Sequence, residues 1–249
     1  MSLTASTDVL ESIWGDGMIR SQRDLNGGMP KTKMDGTPTG EVVLKTDEDV
    51  FFFAGPFRFP PKKPGACGLI FSCDLETVLD NRKVATPFDS GGVLEWYSPS
   101  GADLSPKDLV AFVRANEMPV PDYRTFLAEF TATAFEHPMN YMHDEKTPAC
   151  VNTIVVKPRK PGADARQWTF EVRCQGPVPM SAPLKAVIIE KVVANSGDWA
   201  EDMMKQLMSR GVDIRLFETQ EDGDWQSLKQ NGLDYLESHL QVKVDNDGQ

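Results

Sequence analysis

The residues best suited to chemistry lie on one side of an alternating segment, residues 166–175. Its apolar positions are Trp168, Phe170, Val172 and Cys174, and its polar positions are Gln167, Thr169, Glu171, Arg173 and Gln175. Because side chains alternate across a strand, this pattern predicts a β-strand with one buried face and one polar face. A carboxylate amid hydroxyl, guanidinium and amide groups can hold a ligand by hydrogen bonds. The alternative is a surface strand whose polar face meets water.

Three further residues are candidates for ligand binding. Arg58 stands between Phe57 and Phe59 just past an apolar strand, where loops on a rigid scaffold often carry binding residues. The alternative for Arg58 is a solvated surface charge. Arg20 follows the first predicted helix. Asp89 lies in a glycine-rich turn, where its carboxylate either orders the turn or accepts from a hydroxyl group.

Metal-dependent chemistry is disfavoured by the spacing of the candidate ligands. His137 and His143 have acidic neighbours and could ligate a metal ion. Pro138 prevents one continuous helix from presenting both rings, and the spacing matches no familiar site. A nuclease-type site built from Asp89 and residues 171–173 would require a lysine at position 173 and acids closer in sequence. We therefore predict no metal.

Composition describes a globular protein and limits its partners. The chain has 249 residues, of which 40% are hydrophobic, which is enough for a sizeable core. Its formal net charge of -11 repels polyanions, so extended binding to a nucleic-acid backbone is disfavoured. A small nucleotide, or a single exposed base in a locally basic pocket, is compatible with this charge.

Cysteine usage and the absence of apolar runs indicate a cytoplasmic protein. The cysteines are widely spaced, without a C-x-x-C pair, at Cys67, Cys73, Cys150 and Cys174. Residues 1–17 lack the basic start and apolar run of a signal peptide. No segment approaches the roughly 20 apolar residues that span a bilayer. We therefore expect a reducing compartment and no membrane partner.

Apolar periodicity predicts a single α+β domain over residues 1–249, because no linker is long enough to separate two cores. Predicted helices cover residues 7–17, 105–113, 122–135, 198–210 and 225–240, with a helical turn at 75–81; predicted strands cover 42–44, 49–54, 68–73, 151–156, 166–175, 184–190 and 212–217. Residues 24–40 are predicted to form a loop, and residues 242–249 to fray as a disordered tail. The strand at 170–174 is expected to lie against the strand at 50–54, since their apolar faces match.

Four segments together resemble a known family. They are Gly17–Arg20 after the first helix, the aromatic and arginine segment 50–58, the turn Pro87–Gly91, and the strand Thr169–Gln175. In this succession the chain resembles bacterial proteins of the ADP-ribosyltransferase superfamily. The resemblance implies split mixed or antiparallel β-sheets with packed helices. It also implies NAD in a cleft, and a catalytic glutamate on a late strand.

The resemblance implies NAD-dependent ADP-ribosyl transfer to a macromolecular acceptor, or NAD hydrolysis, in a toxin or phage-defence setting. Glu171 matches the catalytic glutamate, and it would stabilise the oxocarbenium-like state formed when nicotinamide leaves ribose. The residues implied for NAD binding are Arg20, Arg58, Asp89, Thr169 and Gln175. We expect Arg58, and less directly Arg20, to face the same cleft as Glu171, because arginine offers several donors to a pyrophosphate.

The chain departs from the family at its first strand. Residues 3–7 lack the His or Arg followed by Thr that usually orients NAD there. Either Arg20 or Arg58 takes this role, or the chain is shortened, or the site is inactive. The alternative function is therefore a nucleotide-sensing or protein-interaction module on the same fold, in which Glu171 and Arg173 only form an ion pair.

Overall fold

The computed structural model describes residues 1–30, 39–55, 57, 65–71, 83–92, 105–135, 169–180, 184–218 and 225–246. Its strands are β1 Ser2–Ala5, β2 Met18–Ile19, β3 Asp49–Phe53, β4 Cys67–Phe71, β5 Lys83–Thr86, β6 Glu171–Gln175, β7 Val178–Pro179, β8 Leu184–Glu190 and β9 Asp213–Phe217. Its helices are α1 Thr7–Asp16, α2 Gln22–Leu25, α3 Gly40–Leu44, α4 Pro106–Ala115, α5 Val120–Phe135, α6 Lys191–Ala194, α7 Asp198–Ser209 and α8 Trp225–Asn246. Antiparallel strands, one parallel pair and helices occur among these elements, so the predicted α+β class is confirmed.

The chain divides into two compact units. The first comprises Met1–Ile19, Gly55–Leu79 and Pro179–Gln249, and the second comprises Arg20–Ala54 and Asp80–Val178. In the first unit β4 pairs antiparallel with β1 and with β8, and β8 pairs parallel with β9. The single domain over residues 1–249 stays a prediction.

The core of the first unit encloses the ring of Phe57 between two glycines. A Cβ atom at Gly68 on β4, or at Gly232 on α8, would overlap this ring. Ile188 on β8 and Leu228 on α8 are fully buried in the same cluster. The bare glycine backbone therefore lets the aromatic ring approach both β4 and α8 closely, and a larger residue at either glycine would displace it.

The second unit is built on three antiparallel strands, with β6 between β3 and β5. Val172 lies opposite Phe52 on β3 and opposite Ala85 on β5, and the amide of Ala54 donates to the Phe170 carbonyl at 2.9 Å. The predicted pairing of strand 170–174 with strand 50–54 is therefore confirmed. From α5, Tyr123 and Phe126 pack edge-on against the buried ring of Phe170, with centroids 6.2 Å away in each case.

Local sequence signals correctly mark several helix ends. Gly17 follows α1 in the left-handed conformation, with φ at 66°. At the start of α4, Pro106 occupies the first turn, and the Ser105 side chain accepts from the amide of Asp108. After α7, Gly211 has φ at 79°, again a conformation that favours glycine. These residues therefore account for where α1, α4 and α7 begin or end.

The prediction of a strand at residues 42–44 is wrong, because this segment forms the last turn of α3. The amide of Lys45 donates to the Val42 carbonyl, and that of Thr46 donates to the Glu41 carbonyl. Lys45 then ends the helix in the left-handed conformation, with φ at 57°. A run of three apolar residues is too short to distinguish a strand from a helical turn by periodicity.

Other differences concern short or terminal elements. Strands β1 and β5 were not predicted, since each has four residues and mixes polar with apolar positions. Helix α8 extends to Asn246, and no glycine or proline lies between Gly232 and that residue. The disordered tail at 242–249 stays a prediction. The predicted turn at 75–81 and strand at 151–156 lie outside the described residues.

Candidate active site

Strand pairing places the candidate residues on one face of the sheet in the second unit. Glu171 lies opposite Phe53 on β3 and Thr86 on β5. Arg173 lies two residues further along β6, opposite Phe51 and Val84. Since side chains two residues apart share a face, the carboxylate and the guanidinium are neighbours on that face.

The polar face of β6 is covered. Thr169, Glu171 and Arg173 are 3%, 0% and 2% exposed, respectively. Gln175, at the end of the strand, is exposed. The alternative of a surface strand whose polar face meets water is therefore wrong for the first three positions. A buried carboxylate and a buried guanidinium need partners, because each loses its hydration on folding.

One oxygen of the Glu171 carboxylate is held and the other is not. Its Oε1 accepts from Ser90 Oγ at 2.6 Å, lies 3.2 Å from Thr86 Oγ1, and lies 3.4 Å from Arg173 Nε. Within the described residues, Oε2 has no hydrogen-bond partner. A buried oxygen without a partner is uncommon and marks a place where a ligand can bind.

The hydroxyl of Thr86 indicates where a proton lies. It has one proton and lies 2.9 Å from the Phe88 carbonyl, which can only accept. If the Thr86 hydroxyl donates its proton to this carbonyl, it has no proton left for Glu171. The 3.2 Å contact between Thr86 and Glu171 is then a hydrogen bond only if the Glu171 carboxyl group is protonated and donates to Thr86. The hydrogen-bond geometry thus favours a protonated Glu171 even beside the Arg173 guanidinium.

Burial is the main cause of the raised pKa of Glu171. Loss of hydration, with a smaller contribution from the negative charge of Asp89, raises the pKa from its ordinary 4.5 to about 8. The Arg173 guanidinium and the hydroxyls of Ser90 and Thr86 act in the opposite direction. At neutral pH the protonated form therefore predominates, in agreement with the hydrogen-bond geometry.

Arg173 is fixed by carboxylates on three sides. Its Nη2 donates to Glu117 Oε1, its Nη1 lies 3.7 Å from Asp49 Oδ2, and its Nε faces Glu171. Glu117 Oε1 also accepts from Arg114 Nη1 at 2.5 Å, and Arg114 Nη2 donates to the Leu44 carbonyl at 2.7 Å. This network joins β6 to α3 and to the end of α4.

Asp89 orders the turn that carries Ser90. Its Oδ1 accepts from the amide of Gly92 at 3.0 Å, so the turn-ordering role predicted for it is confirmed. The turn also packs closely, because a Cβ at Gly40 would overlap the carbonyl of Gly91. In this way the turn holds the fully buried Ser90 hydroxyl against Glu171.

The other residues predicted to bind NAD do not share the buried position of Glu171 in every case. Gln175 is exposed at the end of β6. Thr169 is buried and precedes the first residue of that strand. Arg20 is exposed, whereas Glu171 is fully buried. Arg58 lies outside the described residues, so its predicted position in the cleft stays a prediction. Ser90 and Thr86 were not predicted as partners of Glu171, because they lie 81 and 85 residues away in sequence.

A small polar cavity opens beside Arg173. Its volume is about 60 Å³, and its polar lining consists of Lys45, Thr46, Asp49, Arg114, Arg173 and Gln175. Three of these side chains are cationic and one is a carboxylate. Glu171 is not part of the lining, so the cavity is adjacent to the buried carboxylate but distinct from it.

Among the residues that the structure describes, no group of three or more His, Cys, Asp and Glu side chains could hold a metal ion. His137 and His143 lie outside them. No helix in the described ranges is long and apolar enough to cross a membrane.

The described fold and site define an α+β protein with a buried, partly unpaired glutamate on β6, the strand between β3 and β5. No protein-family model matches the chain, and no curated protein matches it. A solved structure of Thermus sp. 2.9 DarT in complex with NAD+ is similar over 87% of this chain and 94% of that chain. The sequence identity is 9% and the TM-score is 0.37, which is too low to support an argument about this chain.

Proposed function

We propose that the chain binds NAD on an ADP-ribosyltransferase-like fold and cleaves the bond between nicotinamide and ribose, with Glu171 as the catalytic residue. ADP-ribose would pass to a macromolecular acceptor or to water. The observation that carries the proposal is the Glu171 carboxyl group, whose Oε1 is held by Ser90 and whose buried Oε2 has no partner among the described residues. Such a group is oriented before any charge develops on a substrate.

The chemistry requires a negative charge next to the ribose as nicotinamide leaves. A cation developing near Oε2 would favour the ionised form of Glu171, because an opposite charge lowers the pKa of a carboxyl group. In a site with little water the attraction between the two charges is strong, so the barrier falls. Glu171 would release its proton to water as NAD binds and before the site closes, and the fixed cation Arg173, 3.4 Å from Oε1, would support the ionised form.

The other candidate residues would bind the rest of NAD. Arg20 and Arg58 are assigned to the pyrophosphate, and Asp89, Thr169 and Gln175 to hydroxyl and amide groups. Because Glu171 is 0% exposed, NAD would reach Oε2 only after the atoms that cover it have moved. Closure of the site after binding would then exclude water from the reacting bond.

The complete burial of Glu171 and Arg173 favours a second candidate function. Glu171 and Arg173 are 0% and 2% exposed, and Glu117 also binds Arg173. A pair so enclosed is suited to holding three strands together, which is all that a nucleotide-sensing or protein-interaction module requires of it. In this alternative the chain binds a nucleotide or a protein and catalyses no reaction.

The two candidates differ in the effect of Glu171→Gln, which keeps the shape of the side chain and removes its charge. If Glu171 is catalytic, nicotinamide release from NAD falls by about 100-fold or more while NAD affinity is retained. Glu201→Gln is the matched control, because Glu201 is an exposed carboxylate on α7 in the first unit. Protein, nucleic acid and water are each supplied as acceptor.

Each outcome of this experiment assigns the function. Equal turnover in wild type and Glu171→Gln removes Glu171 as the catalytic residue. No turnover in either protein, with every acceptor tried and with NAD bound, supports the sensing module. Loss of turnover in Glu171→Gln but not in Glu201→Gln supports the transferase.

A further inference from the structure

The cavity beside Arg173 is lined by elements that converge from three directions. Arg173 and Gln175 come from β6, Lys45 and Thr46 follow α3, and Arg114 comes from the end of α4. All of them belong to the second unit. The lining residues are exposed at Lys45 and Gln175 and buried at Arg173, so the cavity has an accessible rim and a cationic floor.

The local charge of this cavity is opposite to that of the whole chain. Lys45, Arg114 and Arg173 are cations, and the carboxyl groups that face them are Asp49, Glu117 and Glu171, of which Glu171 carries a proton. The excess is one positive charge in a protein whose net charge is -11. An anion that enters the cavity would therefore be attracted locally.

Several donors around the cavity are not used by the protein itself. The Arg173 guanidinium faces Glu117, Asp49 and Glu171, so it contributes positive charge to the cavity and not an unused donor. The ammonium of Lys45 has no ion pair with any described residue, and the side-chain amide of Gln175 has no described partner. Among the described residues, the Thr46 hydroxyl makes only a long contact, 3.4 Å, with the Glu41 carbonyl.

The backbone at Lys45 is unusual in the same place. Lys45 is the only non-glycine residue with positive φ among those that the structure describes, at 57°. This conformation costs free energy in a residue with a Cβ, and such strain tends to occur at binding sites. Here it ends α3 and places the exposed Lys45 on the cavity rim.

The size of the cavity limits its ligand. A volume of about 60 Å³ holds roughly five non-hydrogen atoms, because a cavity needs about 10–15 Å³ to hold one water molecule. A phosphoryl group has that size, whereas a whole nucleotide does not fit. Guanidinium groups bind phosphate oxygens through paired donors, and lysine adds a compact charge.

We propose that the cavity lined by Lys45, Thr46, Arg114, Arg173 and Gln175 is a binding site for a phosphoryl group, free or at the end of a phosphomonoester. Asp49 lies at the edge of the site and faces Arg173 at 3.7 Å, so it competes weakly for that cation. The inference does not require any reaction at Glu171, and it holds whichever of the two functions is correct.

Inorganic phosphate is the direct probe. It is titrated into the full chain, and its binding is monitored by NMR through the chemical shifts of the backbone amides. Saturable shifts are expected at Lys45, Thr46 and Gln175. Lys45→Gln should weaken phosphate binding by about fivefold to tenfold, because one charge-assisted contact to a partly exposed site is lost. Lys191→Gln is the control, since Lys191 is also an exposed lysine but pairs with Glu218 in the first unit.

Three results would overturn the inference: no saturable shift at these amides, equal phosphate affinity in Lys45→Gln and wild type, or acetate binding with the same affinity as phosphate. AMP and adenosine are then tested as competitors. Competition by AMP but not adenosine supports a phosphoryl site, and adenosine competing as well as AMP contradicts it. Tighter binding of AMP than of phosphate would identify a phosphomonoester as the ligand, and the reverse would identify free phosphate.

A final variant separates this inference from the proposed function. Phosphate binding should be unchanged in Glu171→Gln, because Glu171 does not line the cavity. Retained phosphate binding with no NAD turnover would leave the phosphoryl site in place and remove the transferase. Loss of phosphate binding in correctly folded Glu171→Gln protein would show that the two sites are one, against the inference.

Discussion

Replacing Glu171 by glutamine should change how the stability of the protein depends on pH. Burial raises the pKa of Glu171 in the folded state to about 8, against 4.5 as its ordinary value. Between these values the folded protein binds one more proton than the unfolded chain. The free energy of unfolding therefore falls as pH rises through this window, and the stabilisation is complete only below the unfolded pKa.

The size of this effect follows from the shift in pKa. Each unit corresponds to about 1.4 kcal/mol, so raising the pKa from 4.5 to about 8 corresponds to on the order of 5 kcal/mol across the window. Glutamine does not titrate, so Glu171→Gln removes this contribution. The variant should gain stability relative to wild type as pH rises, whatever constant cost its amide adds at every pH.

Urea unfolding followed by tryptophan fluorescence, at several values between about pH 5 and pH 9, measures this difference. The informative quantity is how the difference in free energy of unfolding between the variant and wild type changes with pH. The cost of the amide is the same at every pH, so it does not affect this change. Glu201→Gln is the control, and it should differ from wild type by a small and nearly constant amount, since Glu201 is exposed. Parallel curves for wild type and Glu171→Gln would refute the argument that Glu171 is a protonated, buried acid.

Two further predictions concern the same site and the core. Asp89→Asn keeps an acceptor for the Gly92 amide but removes a negative charge, so it should lower the pKa of Glu171 in a carboxyl NMR titration; an unchanged or higher value would contradict the role given to Asp89. Gly68→Ala should lower the free energy of unfolding by about 1–3 kcal/mol, because its methyl group would overlap Phe57. Gly15→Ala is the control, since a Cβ at Gly15 would have no atom within 4 Å. This substitution in a helix should stabilise the protein by about 0.5 kcal/mol. Equal destabilisation by the two substitutions would show that Phe57 is not the cause.

The alternation of apolar and polar residues predicted β6 because this pattern is local to the strand. It predicted the pairing with β3 because the two segments have matching apolar faces. The apolar side of residues 170–174 matches that of residues 50–54, and the register confirms it. The same pattern did not predict that Glu171 and Arg173 are buried. Whether a polar face is covered depends on distant residues, such as Glu117, which pairs with Arg173 across 56 positions.

Glu171 was identified as a candidate from the sequence, but its surroundings were not. Thr86 lies on β5, a four-residue strand with one lysine and one threonine, which gives no clear period of two. Ser90 reaches Glu171 only through the turn that β5 leads into. The cavity was likewise missed, since Lys45 follows a segment predicted as a strand and found in α3.

The enclosure of Phe57 has a consequence for how this sequence can change over evolutionary time. Its ring occupies the volume that side chains at Gly68 and Gly232 would need. Exchange of any one of the three residues therefore creates either a clash or a void, and a second exchange nearby can compensate it. Positions 57, 68 and 232 should consequently vary together among related proteins. Such a covarying triplet would be a more durable mark of shared ancestry than the short motifs near the candidate site.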